Sequence, residues 1–559
     1  MVKKWFSFIG KEIKGLHEAA YLLAVFALLS QFLALFRDKL LAFTFGAGHD
    51  LDIYYAAFRI PDLIFVSIGS LVSASVLLPF FVERFSQGKE DGKRFSDSVF
   101  SVFFFAMVVV SVIAYIFVPK VITILLPGFA DDPALPDLIM TSRIMLLSPF
   151  FLGLSNLFSS ITQMHHKFLV YAMSPVFYNA GIILGILVLF PLFGVPGLAL
   201  GVIVGAFFHM AIQLPFLWQA RMAPVFTWDI DWVKIKKALM LSLPRTVTMS
   251  ANQLATFFLT GLASLMSKGS IAVFNLSLNL QSVPLTIIGA SYSSAVFPTL
   301  SKLYVEGNKN EFLAKMISAA QHIIFWSMPI MVLFIVLRAQ IVRTILGAGR
   351  FDWADTRLTA ASLAIFMISV IGQSLIVLFV RAFYAEGKTT KPLLLNLISA
   401  SLIVVSSYFL TKAFFAYPTF QFFIEDLLKV TGQVGTSALV LPLAYSFGIF
   451  VSTILHWHAF EKKFAGFTRP VLATLYHTFC ASVIMGYASF LSLRIFATIF
   501  PLTKVWGVFL QGLCSGLVGI VVLVLVLIIL KNEEIHEVWN TLHKKIWKAS
   551  VPPAEVEKL

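Results

Sequence analysis

The sequence predicts an all-α polytopic membrane protein with about 14 transmembrane helices, arranged as two pseudo-equivalent six-helix lobes around a central cavity plus a C-terminal helix pair. Three observations predict this. Of 559 residues, 59% are hydrophobic and 13% are charged, roughly half the charge of a soluble globular chain. The apolar residues fall in blocks of about 20, each long enough to cross a hydrocarbon core of ~30 Å as a helix. The third observation is an internal repeat. A net charge of +14 is spread in short runs between the apolar blocks, as in cytoplasmic loops, and forms no single patch. Together these exclude a soluble multidomain enzyme, a disordered chain and a nucleic-acid-binding chain.

In chain order, residues 1–20 alternate Lys3, Lys4, Lys11 and Lys14 with Trp5, Phe6, Phe8, Ile9 and Ile13. That pattern, with no A-x-A cleavage site, predicts an interfacial amphipathic helix. Spans one to six occupy 21–220, spans seven to twelve 238–458, and spans thirteen and fourteen 471–530, with a cytoplasmic tail at 531–559. An even number of spans puts both termini on one side. Loops and termini of that side hold 27 of the 42 Lys and Arg residues, against 13 on the other, which places both termini in the cytoplasm.

The repeat links spans one to six with seven to twelve. LLPFFVERFSQGKEDGKRF surrounds Pro79 and VFPTLSKLYVEGNKNEFLA surrounds Pro298, with nine residues from Pro79 to Gly88 and from Pro298 to Gly307. The offset is 219, and a second pair, Pro175-x3-Asn179 and Pro392-x3-Asn396, lies 217 apart. Six intervening spans preserve orientation, so the repeat is parallel, the architecture of alternating-access transporters. A packed scaffold of duplicated bundles is the competing reading.

Ionisable groups within spans cost about 2.5–3.5 kcal/mol each on insertion scales, so each asks for a reason. They concentrate where spans one and two meet: Arg37, Asp38, Lys39, Asp52, Arg59 and Asp62. Asp52, Arg59 and Asp62 share one helical face by spacing, with Pro61 interrupting the helix. Two readings stand. The cluster is a polar cavity wall whose arginines meet an anionic group through a planar two-pronged fork, or a salt-bridge cluster that seats helix ends. Arg245, beside Ser250, Asn252 and Gln253, is either a ligand group or a side chain reaching the headgroups. Asn275 and Asn279 share a face of span eight and are placed in a buried, hydrogen-bonded position. Gly46-Ala47-Gly48 and Gly347-Ala348-Gly349 lack the lysine and the βαβ setting of a nucleotide loop and read as helix-ending turns. His165 and His166 have no third metal ligand nearby, and His456 and His458 are placed at the headgroups. Cys480 and Cys514 build neither a disulfide framework nor a metal site. The sequence predicts no enzyme and no cofactor.

LSQFLALFRDKLLAFTFGAGHDLDIYYAAFRIPDL, VFPTLSKLYVEGN, GAGRFDWADTRLTAASL and VRAFYAEGKTTKP, in this order over residues 20–400, resemble segments of the MurJ (MviN) family of lipid II flippases, in the multidrug/oligosaccharidyl-lipid/polysaccharide exporter superfamily. The resemblance implies fourteen spans and movement of undecaprenyl-pyrophosphate-linked peptidoglycan precursor across the bacterial cytoplasmic membrane. It implies a basic cavity for the pyrophosphate and sugar, and a groove at the last two helices for the lipid tail. Lipid-linked precursor, membrane lipids and cell-wall synthesis proteins are the partners it suggests, and nucleic acid is not among them. Arg37, Asp38 and Asp52 match the family pattern, and Arg59 stands where it carries a basic residue; with Arg245 and Asn279 these are the candidate substrate-binding residues. The chain departs from the pattern at Gln31, Phe65, Val66 and Asn279, where the family carries arginines. It departs again near Ala255 and Ala400, where some members carry the acidic residues of a sodium site. Two alternatives accompany this reading: a flippase for another polyprenyl-linked glycan, and a non-transporting cell-wall scaffold.

Overall fold

In lipid, a chain must satisfy its backbone N–H and C=O groups internally, which apolar runs do as helices. The computed structural model describes residues 16–530, 532, 534 and 535, and of residues 16–21, 70, 74–76, 79, 241, 244 and 245 it describes the backbone alone. Residues 1–15 of the predicted interfacial helix and most of the predicted tail lie outside the described residues. Among those described there is no strand.

The chain runs through α1 (Leu16–Phe45), α2 (His49–Ala57), α3 (Arg59–Ser67), a 3₁₀ turn (Gly69–Val72), α4 (Ala74–Gln87), α5 (Lys89–Leu125), α6 (Leu135–Met145) and α7 (Leu147–Met164). Then come α8 (Phe168–Leu184), a π turn (Gly185–Leu189), α9 (Phe190–Phe193), α10 (Val195–Ala211), α11 (Leu214–Gln219) and α12 (Trp232–Ser264). They are followed by α13 (Ser270–Pro284), a π turn (Leu285–Ala290), α14 (Ser291–Val305), α15 (Lys309–Val336), α16 (Arg338–Ile345), α17 (Trp353–Ile368) and α18 (Val370–Ala385). Last are α19 (Thr390–Ala416), α20 (Pro418–Leu428), α21 (Val440–Glu461), α22 (Thr468–Ile499) and α23 (Val505–Ile529).

By length and composition, ten described helices can cross a membrane, or eleven if α17 and α18, bent by 41°, form one span. The sequence predicts fourteen. Helices stand at the other three places, and those three are the charged or broken ones. α1 carries Arg37, Asp38 and Lys39; span two is split into α2, α3, a 3₁₀ turn and α4; α12 begins with Lys234, Lys236 and Lys237.

The repeat is visible in the helices. Asn179 Nδ2 donates to the Pro175 carbonyl at 3.1 Å, and Asn396 Nδ2 to the Pro392 carbonyl at 2.9 Å, the same back-bond at both places. The 3₁₀ turn Gly69–Val72, shifted by the 219-residue offset, falls on 288–291 and overlaps the π turn Leu285–Ala290. Spans two and eight are therefore both irregular at corresponding levels.

The described residues form two compact units. One comprises those of Met1–Val283, Ile345–Phe366 and Lys388–Ser452; the other those of Pro284–Thr344, Met367–Gly387 and Thr453–Leu559. In the first unit, Gly181 and Gly185 of the α8 span pack on Gly201 and Gly205 of α10, where a Cβ would strike the opposing backbone. Small residues let helices approach where lipid supplies no hydrophobic drive. In the second unit, Phe312, Phe379, Phe383, Phe460, Phe464 and Phe467 pack as one core, with Phe312 and Phe464 stacked at 5.0 Å between centroids. His456, placed at the headgroups by the sequence, is instead fully buried, because the Trp457–Phe460 stretch turns into this core; His458 is exposed.

Candidate functional site

All described parts of the site belong to the first unit. In the last third of α1, Arg37 folds back on its neighbour: Nε and Nη2 donate to Asp38 Oδ1 at 3.0 and 2.8 Å. Its Nη1 donates to Asn179 Oδ1 at 3.1 Å. The other oxygen of Asp38 accepts from Asn279 Nδ2 at 3.1 Å. Asn179 Nδ2 in turn donates to Ser30 Oγ at 3.3 Å. Arg37, Asp38, Asn179 and Asn279 thus form one network from spans one, five and eight. The Asp38 side chain is 4% exposed and that of Arg37 19%. A guanidinium has five N–H donors, and three are used here among the described residues.

Asp52 is as buried as Asp38 and does something else. Its Oδ2 accepts from the Gly269 N–H at 2.5 Å and its Oδ1 from the Ala272 N–H at 2.7 Å. The first N–H groups of a helix have no partner within it, and a carboxylate there is also favoured by the helix dipole. Asp52 therefore caps α13 from a distance of 217 residues.

Arg59, 6% exposed, donates from Nη2 to Asn275 Oδ1, and Asn275 Nδ2 donates to the Ile271 carbonyl at 2.7 Å. The Asp62 carboxylate accepts from the Gln253 side chain, and Ser67 Oγ meets Ser250 Oγ at 2.9 Å. The chain breaks at Phe58 between α2 and α3, and Pro61 sits in the first turn of α3, where no intrahelical N–H is needed. Even so, Asp52 and Arg59 both turn to α13, whereas Asp62 turns to α12. The backbone of α12 runs through Arg245, whose side chain lies outside those described.

The two Gly-Ala-Gly turns, read from sequence as helix ends, are that and more. Gly46 (φ 65°) and Gly349 (φ 61°) are left-handed, which side chains rarely adopt. The turns meet: the Arg350 N–H donates to the Phe43 carbonyl at 3.0 Å, and the Ala47 N–H to Asp355 Oδ2 at 3.0 Å. Beside them, Asp132 accepts from the Ala134 N–H at 2.8 Å and contacts His49 at 3.1 Å. Burial raises the pKa of Asp132, but that N–H, His49 and Lys268 outweigh it and hold the carboxyl below its usual value.

Sequence reasoning missed Asn179 as the partner of Arg37, although the Pro-x3-Asn motif had marked the position. It also missed Asp355, whose partner lies 308 residues away. Where the resemblance puts a sodium site, Ala255 and Ala400 line an apolar groove of about 510 Å³ with Leu254, Phe258, Leu397 and Val404. Among the described residues no group of three His, Cys, Asp or Glu is placed to hold a metal ion.

A duplicated bundle with its spans two and eight broken, and with its ionisable groups turned onto other helices, defines a polytopic membrane transporter. Solved structures share the fold: an inward-closed lipid II flippase MurJ (TM-score 0.73, 21% identity, 92% of this chain and 100% of that one) and an inward-facing multidrug-resistance MATE transporter of the MOP superfamily (0.63, 15%, 78% and 96%). The family model for lipid II flippase MurJ matches residues 41–511, and the chain belongs to that family. It is 27% identical over 386 residues to the lipid II flippase MurJ of Burkholderia cenocepacia, covering 68% of this chain and 75% of that protein. With the probable lipid II flippase MurJ of Buchnera aphidicola subsp. Schizaphis graminum it is 24% identical over 470 residues (83% and 87%). It is a multi-pass protein of the bacterial inner membrane.

Proposed function

We propose that this chain translocates lipid II, the undecaprenyl-pyrophosphate-linked peptidoglycan precursor, between leaflets by alternating access. The observation that carries the reading, beside family membership, is Arg37: intramembrane, partly exposed, and oriented by Asp38 and Asn179, with two donors unused among the described residues. Two parallel donors from a planar fork suit a phosphate oxygen pair. Asp38 and Asn179 hold the fork in place, and Asn279 satisfies the second Asp38 oxygen, so the carboxylate does not compete for the remaining donors.

Transport requires the contacts between the repeats to open. Those of Asp52, Arg59 and Asp355 each contribute about 0.5–1.5 kcal/mol net, or about 1.5–3 where an ion takes part. Inverting a two-state population from 1:99 to 99:1 takes about 5.5 kcal/mol of differential affinity, which two or three charge-assisted bonds to a pyrophosphate supply. In this reading both termini are cytoplasmic, residues 21–220 and 238–458 are the moving lobes, and 471–530 takes the lipid tail. No cofactor is needed in this reading, and the lining at Ala255 and Ala400 carries no carboxylate for sodium, with Ser401 its one polar side chain. Cell-wall synthesis proteins are the partners it would serve.

The test is rescue of a bacterium depleted of its own MurJ, scored by lipid II reaching the outer leaflet. Rescue by the wild-type chain, and not by Arg37→Ala at equal membrane abundance, is the expected result. Failure of the wild-type chain to rescue, with binding of a different polyprenyl-linked glycan, would overturn the assignment.

A further inference from the structure

The segment joining α11 to α12 has no regular structure, yet it is pinned. Val225 N–H donates to Asp97 Oδ1 at 2.9 Å and Thr227 N–H to Ser101 Oγ at 2.8 Å, both on α5. Arg94 bridges to Asp229 at 2.8 Å, and Lys234 to Asp91 at 2.8 Å and Asp231 at 2.9 Å. Lys234 and the Lys234 N–H hold the Asp231 carboxyl below its usual pKa against its partial burial.

Pinning fixes the depth of this segment. At the N-terminal end of α5 the charged run closes with Asp97, and the apolar run that crosses the membrane begins within a turn. The Phe226 ring packs on Phe104 of that run at 6.0 Å. The segment therefore lies where α5 leaves the hydrocarbon. There it presents Phe226 and Trp228 (82% exposed), and the start of α12 presents Trp232 (63%), Val233 (83%) and exposed Lys236 and Lys237.

We infer that residues 225–237 form a membrane-surface site that binds anionic phospholipid headgroups, the tryptophans seated at headgroup level and Lys236 and Lys237 on the lipid phosphates. Tryptophan prefers this depth because its ring is apolar and its N–H is polar. Lysines beside an anionic leaflet add attraction that falls away within a Debye length. A soluble protein partner would need the same aromatic side chains free in water, whereas the hydrogen bonds to Asp97 and Ser101 hold them against the bilayer. The surface adds to the flippase reading and does not depend on it.

The experiment uses the full chain with Cys480 and Cys514 replaced by serine and an environment-sensitive dye on Val233→Cys, reconstituted in two kinds of vesicle. One is phosphatidylcholine alone, the other phosphatidylcholine with phosphatidylglycerol. The dye should be shielded from aqueous iodide and quenched by shallow brominated lipid, more so with phosphatidylglycerol. Lys236→Gln and Lys237→Gln should each lower the phosphatidylglycerol-dependent partitioning about fivefold, and high salt should do the same. Full iodide access in both vesicles would overturn the inference. So would shielding that follows protein density and not lipid charge, which would assign the surface to a second copy.

Discussion

Asp38 and Asp52 are carboxylates of adjoining helices, both buried, and they are held in different ways. Asp38 is met by side chains, Arg37 and Asn279, which can rotate and exchange partners. Asp52 is met by two backbone N–H groups at the end of α13, which cannot. A carboxylate on backbone donors ties one helix to another; a carboxylate among side chains adjusts to whatever else enters. In the proposed function, that difference separates the groups that close the molecule from those that would touch its cargo.

Breaking the backbone-bound carboxylate should have the largest effect. Asp52→Ala leaves two buried N–H groups unpaired, at about 1–3 kcal/mol each. A cysteine at Ala272, fully buried in the intact structure, should then be alkylated by an impermeant maleimide at least about tenfold faster. An unchanged rate would mean that Asp52 does not hold this end shut. Next comes the joint between the Gly-Ala-Gly turns. Gly349→Ala places a side chain at φ 61° with its Cβ against the Phe43 carbonyl. A thermal-shift measurement should show a loss of about 1–2 kcal/mol.

The side-chain network sharpens the comparison. Asn279→Ala leaves one Asp38 oxygen without its donor, and lipid II transport should fall about tenfold with membrane abundance nearly intact. Asn279→Asp should be worse, because it sets a second carboxylate against Asp38. The smallest effect belongs to Asp231, which caps α12 by accepting from the Lys234 N–H at 3.1 Å. Asp231→Ala should cost about 1 kcal/mol. Because folding depresses this carboxyl, its contribution is present above the unfolded pKa of about 4 and is lost as pH falls through the folded value. An acid titration of unfolding should show the wild type losing stability below pH ~4 and Asp231→Asn losing less.

Much of this was legible in the sequence, for physical reasons. Apolar blocks of membrane length dictate helices, and ionisable residues inside them must be partnered, which pointed to Arg37, Asp38, Asp52 and Arg59 before any coordinates. The Pro-x3-Asn pairs marked the repeat because they carry the same back-bond twice. What was not legible depends on closure across hundreds of residues. No local pattern says that Asp52 caps the helix starting at Ser270, or that Asp355 reaches Ala47. Asn179 looked like a repeat marker because a side-chain amide has no charge to draw attention in an apolar span. Each of the fourteen predicted spans meets a helix among the described residues, ten or eleven of them long and apolar enough to cross a membrane, and span two is divided at Phe58 and Gly69.

The central claim is that Arg37 holds the cargo, and lipid II binding to purified protein tests it most directly. Arg37→Ala should remain folded and bind about ten- to hundredfold more weakly, the loss of one charge-assisted hydrogen bond of about 1.5–3 kcal/mol. Arg37→Lys should recover part of that, since an ammonium keeps the charge and loses the fork. Wild-type affinity in Arg37→Ala, or lost abundance that Asp38→Ala restores, would make Arg37 a structural partner of Asp38 and contradict the account.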